Sequence, residues 1–218
     1  MTHIIDLNIK EKIYTKKRTT LHLLRDFTLQ IQQGETIAIL GESGSGKSTL
    51  LNILGLLDTQ YSGRYSLYNT DVKTLSVNTR AQWRNEKIGF VLQESTLIHS
   101  MSIKDNITLP LLYSQKKYPS QQWYEEIVET LDITHILDKK PLECSGGEKS
   151  RVSFARGIIM DPPLILSDEP TASLDTKNRN KLMSLLFDRN KNKGTTLVTV
   201  THDENTADLH GRKIHIYR

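Results

Sequence analysis

Gly41-Glu42-Ser43-Gly44-Ser45-Gly46-Lys47-Ser48-Thr49 has the form G-x-x-x-x-G-K-S, a loop whose backbone cradles phosphate oxygens. An apolar run, Thr36 to Leu40, leads into it, and a leucine-rich run, Thr49 to Leu57, leaves it. The pattern predicts a buried strand, a tight turn and a helix whose N-terminus faces the turn. Backbone N–H groups then converge on one spot at the positive end of the helix dipole. Gly41, Gly44 and Gly46 permit positive φ and the close approach of an anion. Glu42, Ser43, Ser45 and Thr49 fill out the cradle. Lys47 offers a point charge to β and γ phosphate oxygens, and the Ser48 hydroxyl is placed to ligate Mg²⁺.

The other features bound the class of molecule. The chain has 218 residues, 37% hydrophobic and 25% charged, which suits one domain or a domain with a subdomain. No window approaches the roughly 18 apolar residues of a membrane span. Met1 to Lys12 alternates polar and apolar residues and lacks a signal-peptide core. The single cysteine, Cys144, excludes an intramolecular disulfide. The expected compartment is the cytosol. The net charge of +4 comes from scattered lysines and arginines, which reads as a solvated basic surface and not as a nucleic-acid site.

Along the chain, Ile4 to Ile9 alternates as a half-buried strand does. Tyr14 lies in the basic segment Lys10 to Arg18, beside Lys16, Lys17 and Arg18. Leu21 to Ile31 reads as a second strand with Phe27, Leu29 and Ile31 on one face, followed by a turn at Gln33-Gly34-Glu35. These segments predict an antiparallel sheet flanking the Thr36–Leu40 strand. Asp58 to Gly63 reads as a polar turn, and Arg64 to Tyr68 and Lys87 to Leu92 as strands, the last followed by Gln93. Ser102 to Tyr113 has helical spacing that Pro110 ends or kinks. Ser114 to Ser120 is a loop, and Gln121 to Leu131 an amphipathic helix.

Ser145-Gly146-Gly147-Glu148 is a capping box ahead of Val152, Ala155, Ile158 and Ile159. Gly146 and Gly147 are poor helix formers, costing about 1 kcal/mol each against alanine. Bare backbone in a first helical turn makes sense where an anion must come close. Leu164-Ile165-Leu166 is a buried strand that runs into Asp168-Glu169-Pro170. Asp175 precedes a helix through Leu182, Leu185 and Leu186, and Thr195 to Val200 is a β-branched strand ending at Thr201-His202-Asp203. Lys213 to Tyr217 closes the sheet. The alternation predicts a parallel sheet with helices on both faces. Asp168 closes an apolar strand, where a carboxylate can hold Mg²⁺. Glu169 reaches the same site only if the chain leaves the strand geometry, since successive strand side chains point opposite ways.

A loop of this kind alone leaves kinases, GTPases and motors open. The ordered set Tyr14, Gly41 to Thr49, Gln93, Ser145-Gly146-Gly147, Asp168-Glu169, Ser173-Leu174-Asp175 and His202 resembles the nucleotide-binding subunit of an ATP-binding cassette (ABC) transporter over essentially the whole chain. Gly55-Leu56-Leu57-Asp58 and Asp168-Glu169-Pro170-Thr171 resemble the group serving macrolide export, lipoprotein release and antimicrobial-peptide resistance. The resemblance implies an α/β P-loop ATPase core, over 1–94 and 161–218, with an antiparallel β subdomain and an inserted helical subdomain at about 95–160. It also implies roles: Tyr14 stacking on adenine, Gln93 completing a Mg²⁺ shell with Ser48 and Asp168, and Glu169 polarising the attacking water. His202 then bonds the γ-phosphate and holds Glu169. The turn from Ser145 to Glu148 binds the γ-phosphate of ATP held by a second copy, in a head-to-tail dimer that Asp175 also crosses.

Two positions depart from the family pattern. Cys144 stands where leucine is usual, and reads as a small hydrophobe. Glu148 stands where glutamine is usual; it closes the capping box but adds negative charge near a phosphate. The expected function is ATP hydrolysis that powers a separate membrane permease, for extrusion of a peptide, lipid-linked or drug-like substrate. The implied location is the cytoplasmic membrane face, with residues 94–110 meeting the permease. A mechanical or sensory membrane partner, and a non-transport ATPase of the same family, are the alternative readings.

Overall fold

The computed structural model describes residues 3–16, 19–93, 95–114 and 120–217. Lys17, Arg18, Glu94 and residues 115–119 of the Ser114–Ser120 loop lie outside them.

Two sheets share one core. Strands β1 (His3–Lys16) and β2 (Thr19–Gln32) form an antiparallel hairpin. Strand β3 (Thr36–Leu40) enters the glycine-rich loop, and helix α1 (Lys47–Leu54) leaves it. Next come β4 (Ser62–Leu67), the short β5 (Thr70–Asp71), α2 (Val77–Glu86) and β6 (Ile88–Val91). Helices α3 (Ile103–Thr108), α4 (Gln121–Thr130) and α5 (Gly146–Ile158) fill the stretch before β7 (Leu164–Asp168). The chain then runs through α6 (Thr176–Lys193), β8 (Thr196–Val200), α7 (Glu204–Ala207) and β9 (Arg212–His215). The antiparallel sheet has the order β2-β1-β4-β5, and the parallel sheet β6-β7-β8-β3-β9.

The apolar faces of the two sheets meet on α1. Ile5, Leu7 and Ile9 of β1 join Ile37 and Ile39 of β3 and Leu50, Ile53 and Leu54 of α1 in one buried cluster. The fully buried Tyr65 on β4 donates its hydroxyl to the Leu54 carbonyl at 2.8 Å, so α1 has a polar tie to the antiparallel sheet. A second cluster joins Trp123, Ile127 and Val128 of α4 to Val152, Phe154 and Ile158 of α5 and Leu182 and Leu186 of α6. Close backbone approach locks α5 onto β6. A Cβ on Gly157 would stand 2.2 Å from the Phe90 carbonyl oxygen.

Two departures from the sequence reading have physical causes. Helix α2 was not expected. Val77 at its start is 69% exposed and Trp83 is its one large ring against the core, so no 3.6-residue stripe marks it. Its signal is the Ser76 cap, whose Oγ accepts the Thr79 N–H at 3.1 Å. Strand β4 begins at Ser62 inside the expected turn, because β1 pairs with it there. Pro110 ends α3 as expected, and the chain tightens into a 3₁₀ turn over Leu109–Tyr113. Among the described residues no helix is long and apolar enough to cross a membrane.

Candidate functional site

Four parallel strands deliver their C-terminal ends to one cleft of about 390 Å³. From β3 and α1 come Gly41, Ser43, Gly44, Gly46, Lys47, Ser48 and Thr49; from the end of β6, Gln93; from β7, Asp168 and Glu169; and from β8, His202. This is the edge of an open α/β sheet where ligands bind. Gly46 caps α1 with φ 97°, and a Cβ there would sit 2.7 Å from the Leu23 carbonyl oxygen, so the loop needs glycine twice over. Lys47 Nζ donates to the carbonyls of Gly41 and Glu42, each at 2.7 Å, which draws its charge over the cradle. Glu42 enters through that carbonyl, not its carboxylate. Ser45 is buried, and its Oγ has no hydrogen-bond partner.

Ser48 Oγ donates to Asp168 Oδ2 at 2.8 Å. Burial pushes the Asp168 carboxyl pKa up, and the neighbouring Glu169 charge adds to this; the Ser48 bond and Lys47 work against it. One hydroxyl, one carboxylate and the Gln93 amide in one cleft form a hard, sparse oxygen set. That fits Mg²⁺, which keeps waters and takes phosphate oxygens rather than a full protein cage. Among the described residues no group of three or more His, Cys, Asp or Glu is placed to hold a metal ion.

Glu169 leaves the strand with φ 47°, a left-handed conformation costly for a non-glycine residue. The turn brings its side chain round to the same cleft as Asp168. Its Oε1 meets the His202 N–H at 2.8 Å and His202 Nδ1 at 2.6 Å, and its Oε2 accepts the Thr201 hydroxyl at 3.1 Å. A backbone bond from Glu169 N–H to the Val200 carbonyl, at 2.9 Å, fixes the turn to β8.

The remaining expected residues lie outside this cleft. Tyr14 is 57% exposed on β1, and the hairpin instead lends Leu23 to the wall. The register explains Leu23: Lys12 pairs with Leu24 and Ile13 with His22, so Leu23 is the extra residue of a bulge, a device that re-aims side chains beside sites. Nothing in the local sequence announces it. Ser145 to Glu148 caps α5 with both bonds of the capping box, Ser145 N–H to Glu148 Oε2 at 2.7 Å and Glu148 N–H to Ser145 Oγ at 3.3 Å. Hydrogen bonds from the Ser145 N–H and hydroxyl hold the Glu148 carboxyl below its usual pKa, with help from His135. Open space stands where a Gly146 Cβ would be. Ser150 and Ser173 share a hydrogen bond of 2.7 Å, joining this turn to the one before Asp175. Asp175 caps α6 through the Asn178 N–H at 3.0 Å. Cys144 is buried, and burial raises its thiol pKa, as suits a packing residue.

The profile of the family described as ABC transporter matches residues 24–172. The chain is 40% identical over 213 residues to the lipoprotein-releasing system ATP-binding protein LolD of Francisella tularensis, covering 97% of this chain and 90% of that protein. It is 42% identical over 195 residues to the macrolide export ATP-binding/permease protein MacB of Campylobacter jejuni, covering 89% of this chain and 30% of that protein. The dimeric structure of MJ0796, a bacterial ABC transporter cassette, superposes with a TM-score of 0.90 at 35% identity, over 97% of this chain and 94% of that one. A post-hydrolysis dimer of the same cassette, bound to ADP and Pi, superposes equally well, with a TM-score of 0.90.

Proposed function

This chain belongs to the ABC transporter family as one of its ATP-binding, ATP-hydrolysing subunits, and we propose that the cleft at the strand ends is where it binds and hydrolyses ATP. The observation that carries this is the meeting of Lys47, Ser48, Gln93, Asp168, Glu169 and His202 in one cleft from four separate strand ends. In the proposal, loop N–H groups from Gly41 to Thr49 and Lys47 hold the phosphates. Ser48, Gln93 and Asp168 hold Mg²⁺, which when bound neutralises charge on the phosphate oxygens. Glu169 orients and deprotonates the attacking water, and His202 keeps the carboxylate aimed. Tyr14 faces the adenine from the hairpin.

Ser145, Gly146, Gly147 and Glu148, with Asp175, serve the ATP of a second copy. The open space at Gly146 supports this, as does the dimeric form of the similar cassette MJ0796. The partner in the membrane is a permease on another chain, as the similarity to LolD suggests, and extrusion is the direction its relatives' names carry. The subunit sits on the cytoplasmic face through that permease. Residues 95–160 form the helical subdomain and 1–94 with 161–218 the core, a division supported by the run α3, α4 and α5 between β6 and β7.

Nucleotide titration followed by phosphate release tests the reading. Wild type should bind ATP and release phosphate only with Mg²⁺ present, and Lys47→Ala should bind markedly more weakly. Equal affinity of both proteins for ATP would overturn the assignment of the cleft.

A further inference from the structure

Behind the cleft runs a buried chain of hydrogen bonds that none of the roles above uses. Ser167 immediately precedes Asp168 on β7, and its Oγ lies 2.9 Å from Thr199 Oγ1 on β8. Thr199 Oγ1 lies 2.9 Å from His210 Nε2, and His210 Nδ1 lies 3.0 Å from the Thr206 carbonyl oxygen. A carbonyl only accepts, so Nδ1 carries the proton and Nε2 accepts from Thr199. The Thr199 hydroxyl, with its proton engaged in the bond to the ring, accepts from Ser167. The direction so read runs from Ser167, whose Oγ also has the Val198 carbonyl oxygen at 3.4 Å, through Thr199 and His210 to Thr206. Relative exposures are 1% for Ser167, 0% for Thr199, 7% for His210 and 1% for Thr206. Burial lowers the His210 pKa, in keeping with a neutral ring, and the Phe187 ring packs edge-on against it at 5.2 Å.

The chain does not stop at Thr206. The Thr206 hydroxyl donates to Asp203 Oδ2 at 2.8 Å, the Asp203 N–H to Thr201 Oγ1 at 3.1 Å, and the Thr201 hydroxyl to Glu169 Oε2 at 3.1 Å. The path therefore leaves β7 one residue before Asp168, crosses β8 and α7, and returns to the carboxylate of Glu169. In a medium of low polarity such a path resists distortion, because most of its links join buried polar groups that lose a partner when the link breaks.

We propose that Ser167, Thr199 and His210 are positioning residues for hydrolysis, tying α7 to β7 so that Thr201 and His202 hold the Glu169 carboxylate at one orientation. This rests on the reading of Glu169 as the group that orients water. None of the three lines the cleft. Their effect belongs on the chemical step and not on nucleotide binding, since the path ends on the Glu169 carboxylate and none of its side chains enters the phosphate loop.

Steady-state ATP hydrolysis by the full chain, with equilibrium ATP binding measured beside it, tests this. Thr199→Val keeps the shape and removes the hydroxyl; Thr199→Ser restores a hydroxyl. Thr199→Val should lower kcat about 10- to 100-fold, the usual cost of losing a supporting partner around a reactive centre. KM and ATP affinity should stay within about twofold, as for a loss confined to the transition state. Thr199→Ser should recover most of kcat. Ser167→Ala cuts the path from the β7 side without touching the ring and should also lower kcat; combined with Thr199→Val it should add little, since a path already cut is not cut again. Unchanged kcat in Thr199→Val and Ser167→Ala would overturn the proposal. Parallel loss of ATP affinity and kcat without recovery in Thr199→Ser would overturn it too, by showing plain structural damage. Failure of the reading beneath it looks different: there, Glu169→Gln itself would keep wild-type turnover.

Discussion

Glu169 Oε1 lies 2.6 Å from the Nδ1 of His202 and 2.8 Å from the N–H of the same residue. One oxygen of the carboxylate is thus clamped by a single residue through ring and backbone together. The other oxygen meets the hydroxyl of Thr201. The left-handed turn at Glu169 makes the clamp possible, because it carries the side chain off the strand and toward the end of β8.

His202→Ala removes the ring contact and leaves the backbone one. Turnover should fall about 10²-fold, within the range for one misoriented catalytic group, while ATP affinity stays near wild type. Single-turnover phosphate release against a nucleotide titration checks this. Equal losses of affinity and turnover would place His202 in binding and not in orientation.

Gly146→Asp tests the shared site. Two unit charges 4 Å apart repel by about 4 kcal/mol at an effective dielectric of 20. That far exceeds the 1.4 kcal/mol of a tenfold change in an equilibrium constant. Added to Glu169→Gln, which blocks hydrolysis, the aspartate should cut the ATP-induced dimerisation constant, read from light scattering, well over tenfold. Equal dimer fractions with and without it would reduce the Ser145 turn to a helix start.

Gly157→Ala probes the seam between α5 and β6. Its Cβ would stand 2.2 Å from the Phe90 carbonyl oxygen, which is backbone and cannot swing away. Overpacking of this kind costs about 1–3 kcal/mol, so the denaturant midpoint should drop. Gln93 follows this strand, and Mg²⁺-dependent turnover should fall with it. An unshifted midpoint would show that the seam opens without cost.

The parts legible in the sequence were those whose chemistry is local. The loop from Gly41 to Thr49, the apolar strands and the capping box at Ser145 each declare themselves within a few residues, and the structure holds them as expected. Helix α2 was not legible, because a polar helix on the surface has no stripe to show. Nor was Leu23 or the path from Ser167 to His210. A bulge depends on the register of two strands, and a buried hydroxyl chain on which residues the sheet sets side by side. Ser167 and Thr199 become neighbours only because β7 pairs with β8 in that register.

The Glu148 carboxyl titrates below its ordinary range because the Ser145 N–H and hydroxyl bond its charged form. A depressed folded-state pKa means that the unfolded chain takes up the proton first. The contribution to stability is therefore complete above the unfolded-state pKa and is lost as pH falls through the lower folded-state value. Glu148→Gln, which keeps an acceptor but no charge, should flatten this part of the acid limb in thermal denaturation followed from neutral pH downward. An identical pH profile for both proteins would remove the charge from the cap.

Glu169→Gln put through rapid mixing with Mg²⁺ and ATP, with ATP affinity measured on the same sample, tests the central claim most directly. The amide keeps the size of the side chain and loses the base. Phosphate release should slow by about 10²–10⁴, the usual worth of a general base, at unchanged ATP affinity. Release within about twofold of wild type, far short of that range, would contradict the assignment of the water-activating role to Glu169.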